Sequence, residues 1–449
     1  MNWKAKQRYG TFFMFLFICL SLMVACTQEG TKPVDKVENE EPDDTEVEQE
    51  LVTIQIGYPF GEESFNKRFG PIDEALEHIE LEHVGFGNSV ESLQELFASN
   101  TLPDIFFGSI EHFEEVEIIE PLDELAEKHN FDISKLEPSL VEFIRAQDSE
   151  RRLVGFPDGT SYAATYYNKE IFDLFGVPYL DENKQYTWDE LLDIARLMTG
   201  ERNGVQYVGM QIGWGSTPTW WEILHPLMQF AVNATDPETG EVLLTEKQEF
   251  HQYFNMMHEL YSISGIYGEH SHDQNLFAQR QAAIGIGANA QLNLFPEEDL
   301  EYIKENIGML TYPVWESQPN IGPFLGTTPI IIANYSEHKD EAFEVLMEYA
   351  SPEQQIPMIR NLSSATILND RSVLEQVLID VETYEGKNRE ALFKLQPAIY
   401  DGHISRWDRY VDYHSALTKL ATSDIDVNTV LRELKEETEI KIKEAKEQQ

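Results

Sequence analysis

An α/β architecture divided into two lobes is what the sequence predicts, and three observations carry it. The chain has 449 residues, two to three times an average domain, and 42% of them are hydrophobic, enough to fill two separate cores. From Leu51 onward, apolar strand-like runs alternate with helix-patterned segments through short links, which argues for sheets with helices on both faces and loops clustered at the strand ends. The third observation is the stretch Leu153 to Thr199. There Leu153 to Phe156 and Tyr162 to Tyr167 read as strands flanking the polar turn Pro157-Asp158-Gly159. Two capped helices follow. Asn168 caps KEIFDLF, which Gly176 ends in the left-handed conformation, and Thr187 with Glu190 forms a capping box before Trp188, Leu191, Leu192, Ala195 and Met198.

The elements before that stretch follow the same logic. Leu51 to Tyr58 alternates as a first strand, and the loop Pro59 to Glu63 leads to a helix carried by Pro71 to His78. Ile79 to Val84 is a second strand and Ser89 to Ser99 an amphipathic helix with Val90, Leu93, Leu96 and Phe97 on one side, followed by the run Leu102 to Ser109. After it, Val205 to Ile212 is a strand, and Asn233 to Leu244 reads as a hairpin turn rather than a calcium loop, because oxygen ligands at the required spacing are missing. Trp221, Leu224, Leu227 and Met228 have core-like helical spacing, whereas Trp214 and Trp220 stand at a loop and a helix start. Gly285 to Ala290 matches a GxGxxA pattern, but Pro296 breaks the helix a dinucleotide would need. The polar run His270-Ser271-His272-Asp273 reads as solvated side chains rather than a metal site, and no cofactor is expected. Ser336 is placed to cap the helix HKDEAFEVLMEYA, Ser351-Pro352 opens another helix, and the rest of the chain to Gln449 is helical by pattern.

The N-terminus reads as an address. Lys4, Lys6 and Arg8 precede an uncharged run, Thr11 to Ala25, that ends at Cys26 and is shorter than the roughly 20 residues needed to span a bilayer. LMVAC resembles a bacterial lipobox, with Met23 where leucine is usual, so residues 1–25 are expected to be a signal peptide and Cys26 the lipidated residue. Cys19 leaves with the signal, and the mature fold has no disulfide. Residues 26–50 carry many like charges and few apolar groups, as an extended tether would. The net charge of −47 argues against nucleic acid as a partner, since a phosphate-binding surface needs clustered Lys and Arg. It reads as surface acidity rather than as a ligand signature.

The ordered set Gly155-Phe156-Pro157, Tyr167-Asn168-Lys169, Gly176-Val177-Pro178 and Thr187 to Leu192 resembles the middle of the family 1 extracellular solute-binding proteins, the group that includes the maltose-binding protein. Leu102 to Ser109, Phe277 to Gly287, Leu310 to Trp315 and the segment from Pro329 through the helix after Ser336 resemble further parts of the family, so the likeness spans about Leu51 to Lys441. The resemblance implies a periplasmic-binding-protein-like fold of type II with three crossovers between lobes. It places a first lobe at 51–161 plus 314–368 and a second at 162–313 plus 369–449. It also implies capture of a small solute, a sugar or oligosaccharide foremost, by hinge closure, with delivery to the permease of an ABC importer by a monomer lipid-anchored on the outer face of a Gram-positive-like cell membrane. A surface sensor or adhesin on the same fold is the alternative. A secreted hydrolase finds neither GxSxG nor HExxH in its support, and no enzymatic activity is expected.

In such a fold the ligand meets loops at strand ends. The expected contacts are Glu62 and Glu63 after the first strand, Ser109 and Glu111 after PDIFFG, Asp158 and Thr160 at the first crossover, and Trp214, Trp220 and Trp407 as stacking rings from the second lobe. The rings favour a carbohydrate; Glu62, Glu63 and Glu111 would equally suit a polyamine or a cationic peptide.

Overall fold

Alternation in Val52–Tyr58 buries Ile54, Ile56 and Tyr58, and that strand is the centre of the first of two main sheets. The computed structural model describes residues 51–448 apart from 160, 215–220, 264, 267–273, 289–290, 324–325 and 362–364. Among the described residues the strands are β1 (Val52–Tyr58), β2 (Ile79–Gly85), β3 (Ile105–Phe107), β4 (Ala163–Asn168), β5 (Gly200–Arg202), β6 (Val205–Ile212), β7 (Ala282–Ala288), β8 (Ile307–Thr311), β9 (Ile321–Gly322), β10 (Ile330–Ile332) and β11 (Gln396–Pro397).

The first sheet has the order β10-β3-β1-β2, with β1 parallel to β2 and β3 and with β10 antiparallel to β3. The chain therefore returns to its first sheet after building the second. That second sheet runs β5-β6-β7-β4-β8, and β4 lies antiparallel to both β7 and β8. Every residue of β7 and β8 is buried, as strands covered on both faces must be. Helix Trp188–Leu197 packs so closely on β6 that a Cβ on Gly209 would fall 1.9 Å from the Ala195 carbonyl oxygen.

Local chemistry fixes several boundaries where the sequence expects them. The Asn168 side chain accepts the Glu170 N–H, Gly176 ends helix Lys169–Phe175 at φ 68°, and the Thr187–Glu190 capping box is complete. Ser89 caps Val90–Ala98, and the Thr235–Val242 bridge closes the expected hairpin.

Four expectations need correction. The loop predicted at Pro59 to Glu63 is shorter, because helix Gly61–Ala75 starts at Gly61 and tolerates Pro71 in its interior. Phe65, Phe69 and Ile72 anchor that helix to the core, which outweighs the backbone bond the proline removes. Leu153 to Phe156 is not a full strand, since Pro157 halts pairing after the single bridge Phe156–Ile330. The helix after Ser336 begins only at Lys339: the Ser336 hydroxyl accepts the His338 N–H but donates to the Asp104 carboxylate at 2.7 Å, tying the loop to β3. The C-terminal region is not helical throughout. Between Glu375 and Asp412 it forms short 3₁₀ turns punctuated by Gly386, Pro397 and Gly402, and regular helix resumes at Tyr413–Thr422 and Val427–Gln448.

Candidate functional site

The first crossover delivers Asp158 into a buried polar knot. Arg68, from helix Gly61–Ala75, and the Tyr349 hydroxyl, from helix Lys339–Tyr349, both donate to Asp158 Oδ1, and Arg68 also donates to the Tyr349 oxygen at 3.1 Å. The Asp158 N–H donates to the Thr327 hydroxyl at 2.7 Å, which joins the crossover to the returning chain. Burial pushes the Asp158 carboxyl up; the Arg68 charge and the Tyr349 hydrogen bond oppose it. Burial alone would lower the Arg68 guanidinium, but Tyr349 and Asp158 outweigh it and hold it above its ordinary value. The result is an ion pair whose charges cancel locally.

Beside this knot lies a cavity of about 440 Å³. Asp158, Gly159, Ser161 and Ala163 form one wall, Gly326, Thr327 and Thr328 continue it, and Trp221, His225 and Met228 close it from the other side. Among its described lining residues Asp158 is the one with a formal charge at neutral pH, and that charge is paired with Arg68.

The opposite wall is built by a turn that periodicity misreads. Trp221–Leu224 is a 3₁₀ turn running into the short helix His225–Met228, so Trp221 is rotated outward and is 50% exposed. This corrects the expectation of a core Trp221. His225 holds the indole edge-on, with ring centroids 4.4 Å apart at 73°. The buried Glu222 carboxylate anchors the turn by accepting the Trp214 N–H at 3.0 Å and the Ala288 N–H at 2.9 Å, and burial raises its pKa. A second groove, of about 360 Å³, lies between Glu111 and Glu114 on one side and His403, Ser405 and Arg406 on the other.

The sequence of residues 58–356 matches the model of the bacterial extracellular solute-binding proteins. The chain belongs to that family. Solved solute-binding proteins share its two-lobe fold: an ABC substrate-binding protein of Listeria monocytogenes in complex with cycloalternan has 17% identity and a TM-score of 0.61, covering 88% of this chain and 99% of its own. The sugar-binding protein MalE of Xanthomonas citri has 14% identity and a TM-score of 0.66, covering 89% and 100%. The cyclic alpha-maltosyl-1,6-maltose binding protein of Arthrobacter globiformis has 15% identity and a TM-score of 0.61, covering 86% and 98%. No protein of curated function matches the sequence. No described helix is long and apolar enough to cross a membrane.

In this solute-binding protein the expected contact residues are spread over several places. Asp158 lines the cavity of about 440 Å³, and Trp214, 38% exposed, is tied to its far wall through Glu222. Glu62 and Glu63 are exposed in the first turn of a helix, where they complement its dipole. Ser109 precedes helix Ile110–Glu115, with its N–H on the Asn88 side chain at 3.1 Å, and Glu111 lines the second groove. Trp407 is corrected to a core residue: it is 3% exposed, stacks with Tyr410 and lies beneath Arg406 and Lys446, which leaves no free face for a ligand. Thr160, Trp220, Cys26 and the His270 to Asp273 run lie outside the described residues. Arg68, Tyr349, Trp221 and His225 were not among the expected contacts. An arginine facing a crossover aspartate has no local signature, whereas Pro226 directly after His225 was a readable sign that the tryptophan-rich run is not one regular helix.

Proposed function

We propose that the protein captures an uncharged, hydroxyl-rich solute, a sugar or oligosaccharide, and delivers it to an ABC importer. The observation that carries this reading is the charge balance of the cavity. A chain of net charge −47 presents there a half-exposed indole, hydroxyls and an Asp158 already neutralised by Arg68. An indole face beside hydrogen-bonding groups suits the alternating CH and OH faces of a sugar, and among the described lining residues a polyamine finds no unpaired carboxylate. The sugars bound by the relatives from Listeria monocytogenes and Arthrobacter globiformis support the same class.

In this reading the lobes comprise 51–161 plus 314–368 and 162–313 plus 369–449, and they close about the crossovers. Asp158, Thr160, Trp214 and Trp220 contact the solute, joined by Trp221. A signal peptide over 1–25, acylated Cys26 and the acidic tether 26–50 hold the binding unit at the outer face of the cell membrane, next to the permease. The test is a thermal-shift screen of mono-, di- and oligosaccharides against spermidine and cationic peptides. A true ligand at 100 times its Kd adds about 2.7 kcal/mol to stability. Stabilisation by a cation and by no sugar would overturn the proposal.

A further inference from the structure

His225 sits where the cavity meets the second sheet, and its two ring nitrogens have different surroundings. The residue is 6% exposed and lines the cavity beside Trp221. Its Nδ1 is fully buried without a hydrogen-bond partner. Among the described residues Tyr312 also packs against it, with centroids 6.3 Å apart, and the Tyr312 hydroxyl is likewise buried and unpartnered. Native structures leave buried N–H donors orphaned less readily than acceptors, and a stranded donor costs about 1–3 kcal/mol. A proton on Nδ1 would be such a donor. A bare Nδ1 lone pair leaves only an acceptor unfilled, which native structures tolerate more readily. The ring proton therefore belongs on Nε2, which has no hydrogen-bond partner among the described residues and, unlike Nδ1, is not fully buried.

Resting on the carbohydrate reading above, we infer that His225 presents a fixed Nε2–H donor to the cavity and selects solutes that place an uncharged acceptor oxygen against it. Burial alone lowers the imidazole pKa to about 3, so a second proton does not compete at physiological pH. The same ring holds Trp221 edge-on, which fixes the donor and the stacking face relative to each other. A hydroxyl, ring or glycosidic oxygen satisfies this pair. An ammonium group, which has no acceptor, is turned away by the N–H.

Two measurements on the whole mature protein test the inference. In the first, ¹⁵N-histidine labelling with His225→Gln for assignment reads the tautomer without any ligand. The expected result is a neutral Nε2–H ring whose signals do not move between pH 5 and pH 8. An Nδ1–H tautomer, or titration in that range, overturns the inference. In the second, cycloalternan and mannotriose are titrated calorimetrically. With whichever binds the parent, His225→Phe, which keeps the edge against Trp221, should weaken affinity about tenfold or more, and His225→Gln, which keeps a donor, by less than about threefold. A His225→Phe variant that is folded and binds like the parent overturns the inference. If neither binds the parent, the saccharide that stabilises it most in the thermal-shift screen takes their place; if none does, the carbohydrate reading fails, and the tautomer measurement decides His225 separately.

Discussion

Replacing Arg68 by Met tests whether the Asp158 knot is an ion pair, and the outcome should depend on pH in a definite direction. Methionine keeps an apolar stem against Phe107, over which the guanidinium now lies at 5.2 Å, so the change removes mainly charge and hydrogen bonds. The Asp158 side chain is 9% exposed, and removing one partner of a buried pair costs about 3–5 kcal/mol. Asp158 can escape part of that cost by protonation, because burial already raises its pKa and Arg68 is the main opposing influence. The sign follows from linkage. Once its folded pKa stands well above the unfolded value near 3.9, the carboxyl stabilises the fold below about pH 4 and that contribution is lost as pH rises through the folded pKa. The variant's deficit against the parent should therefore be full at pH 8 and shrink toward about 1 kcal/mol near pH 4.5, at up to about 1.4 kcal/mol per pH unit. Urea midpoints followed by circular dichroism at the two pH values measure it. Arg68→Met/Asp158→Asn should recover most of the loss at pH 8. A deficit equal at both pH values, or a double variant that is merely additive, refutes the ion pair.

The remaining expectations are more direct. Trp221→Ala should weaken sugar binding by roughly 5- to 150-fold, about 1–3 kcal/mol, with little change in unfolding, whereas Trp407→Ala should cost about 3–5 kcal/mol of stability; calorimetry and denaturation of both variants check the division. Affinity for a neutral sugar should change less than about twofold between 50 and 500 mM NaCl, since the described lining residues present no unpaired charge to be screened, and a steep salt dependence by calorimetry would count against the neutral site. Cys26→Ser should move the protein from the membrane fraction to the medium or leave its precursor uncleaved, as immunoblots of the two fractions would show.

What was legible in the sequence was what is decided within a few residues. Asn168, Gly176, Thr187 with Glu190, and Ser89 all act on backbone groups one to four positions away, so their roles can be read from spacing. The alternation that buries Ile54 and Ile56 is local in the same sense. The site is not. Asp158 meets Arg68 across 90 residues of chain, and Arg68 meets Tyr349 across 281, and no local pattern announces either contact. Trp221 was misread for a different reason. Helical spacing to Leu224 and Met228 is genuine, but a 3₁₀ turn advances 120° per residue instead of about 100°, and a few residues of it turn a core position toward solvent. Trp407 shows the reverse: a polar, arginine-flanked segment suggested a surface ring, while Arg406 and Lys446 lie over it and cover it.

The acidity of the chain and the neutrality of its cavity belong to one argument about where charge can be afforded. Exposed carboxylates such as Glu62 and Glu63 remain hydrated, and beyond about 8 Å at physiological salt their fields are largely screened. Inside a closing cleft the same group would lose its water, and several kcal/mol with it, unless a cation met it. Asp158 is the case in point, held by Arg68 and Tyr349 before any solute arrives. Because that pairing is already complete, a solute entering the cavity need not supply a countercharge. In the proposed site, selection then rests on groups whose hydrogen bonds and contact faces are directional: the Thr327 and Thr328 side chains, the edge-held Trp221 and the neutral ring of His225. A solute that presents oxygens at fixed angles around an apolar face can satisfy them together, and a flexible cation cannot.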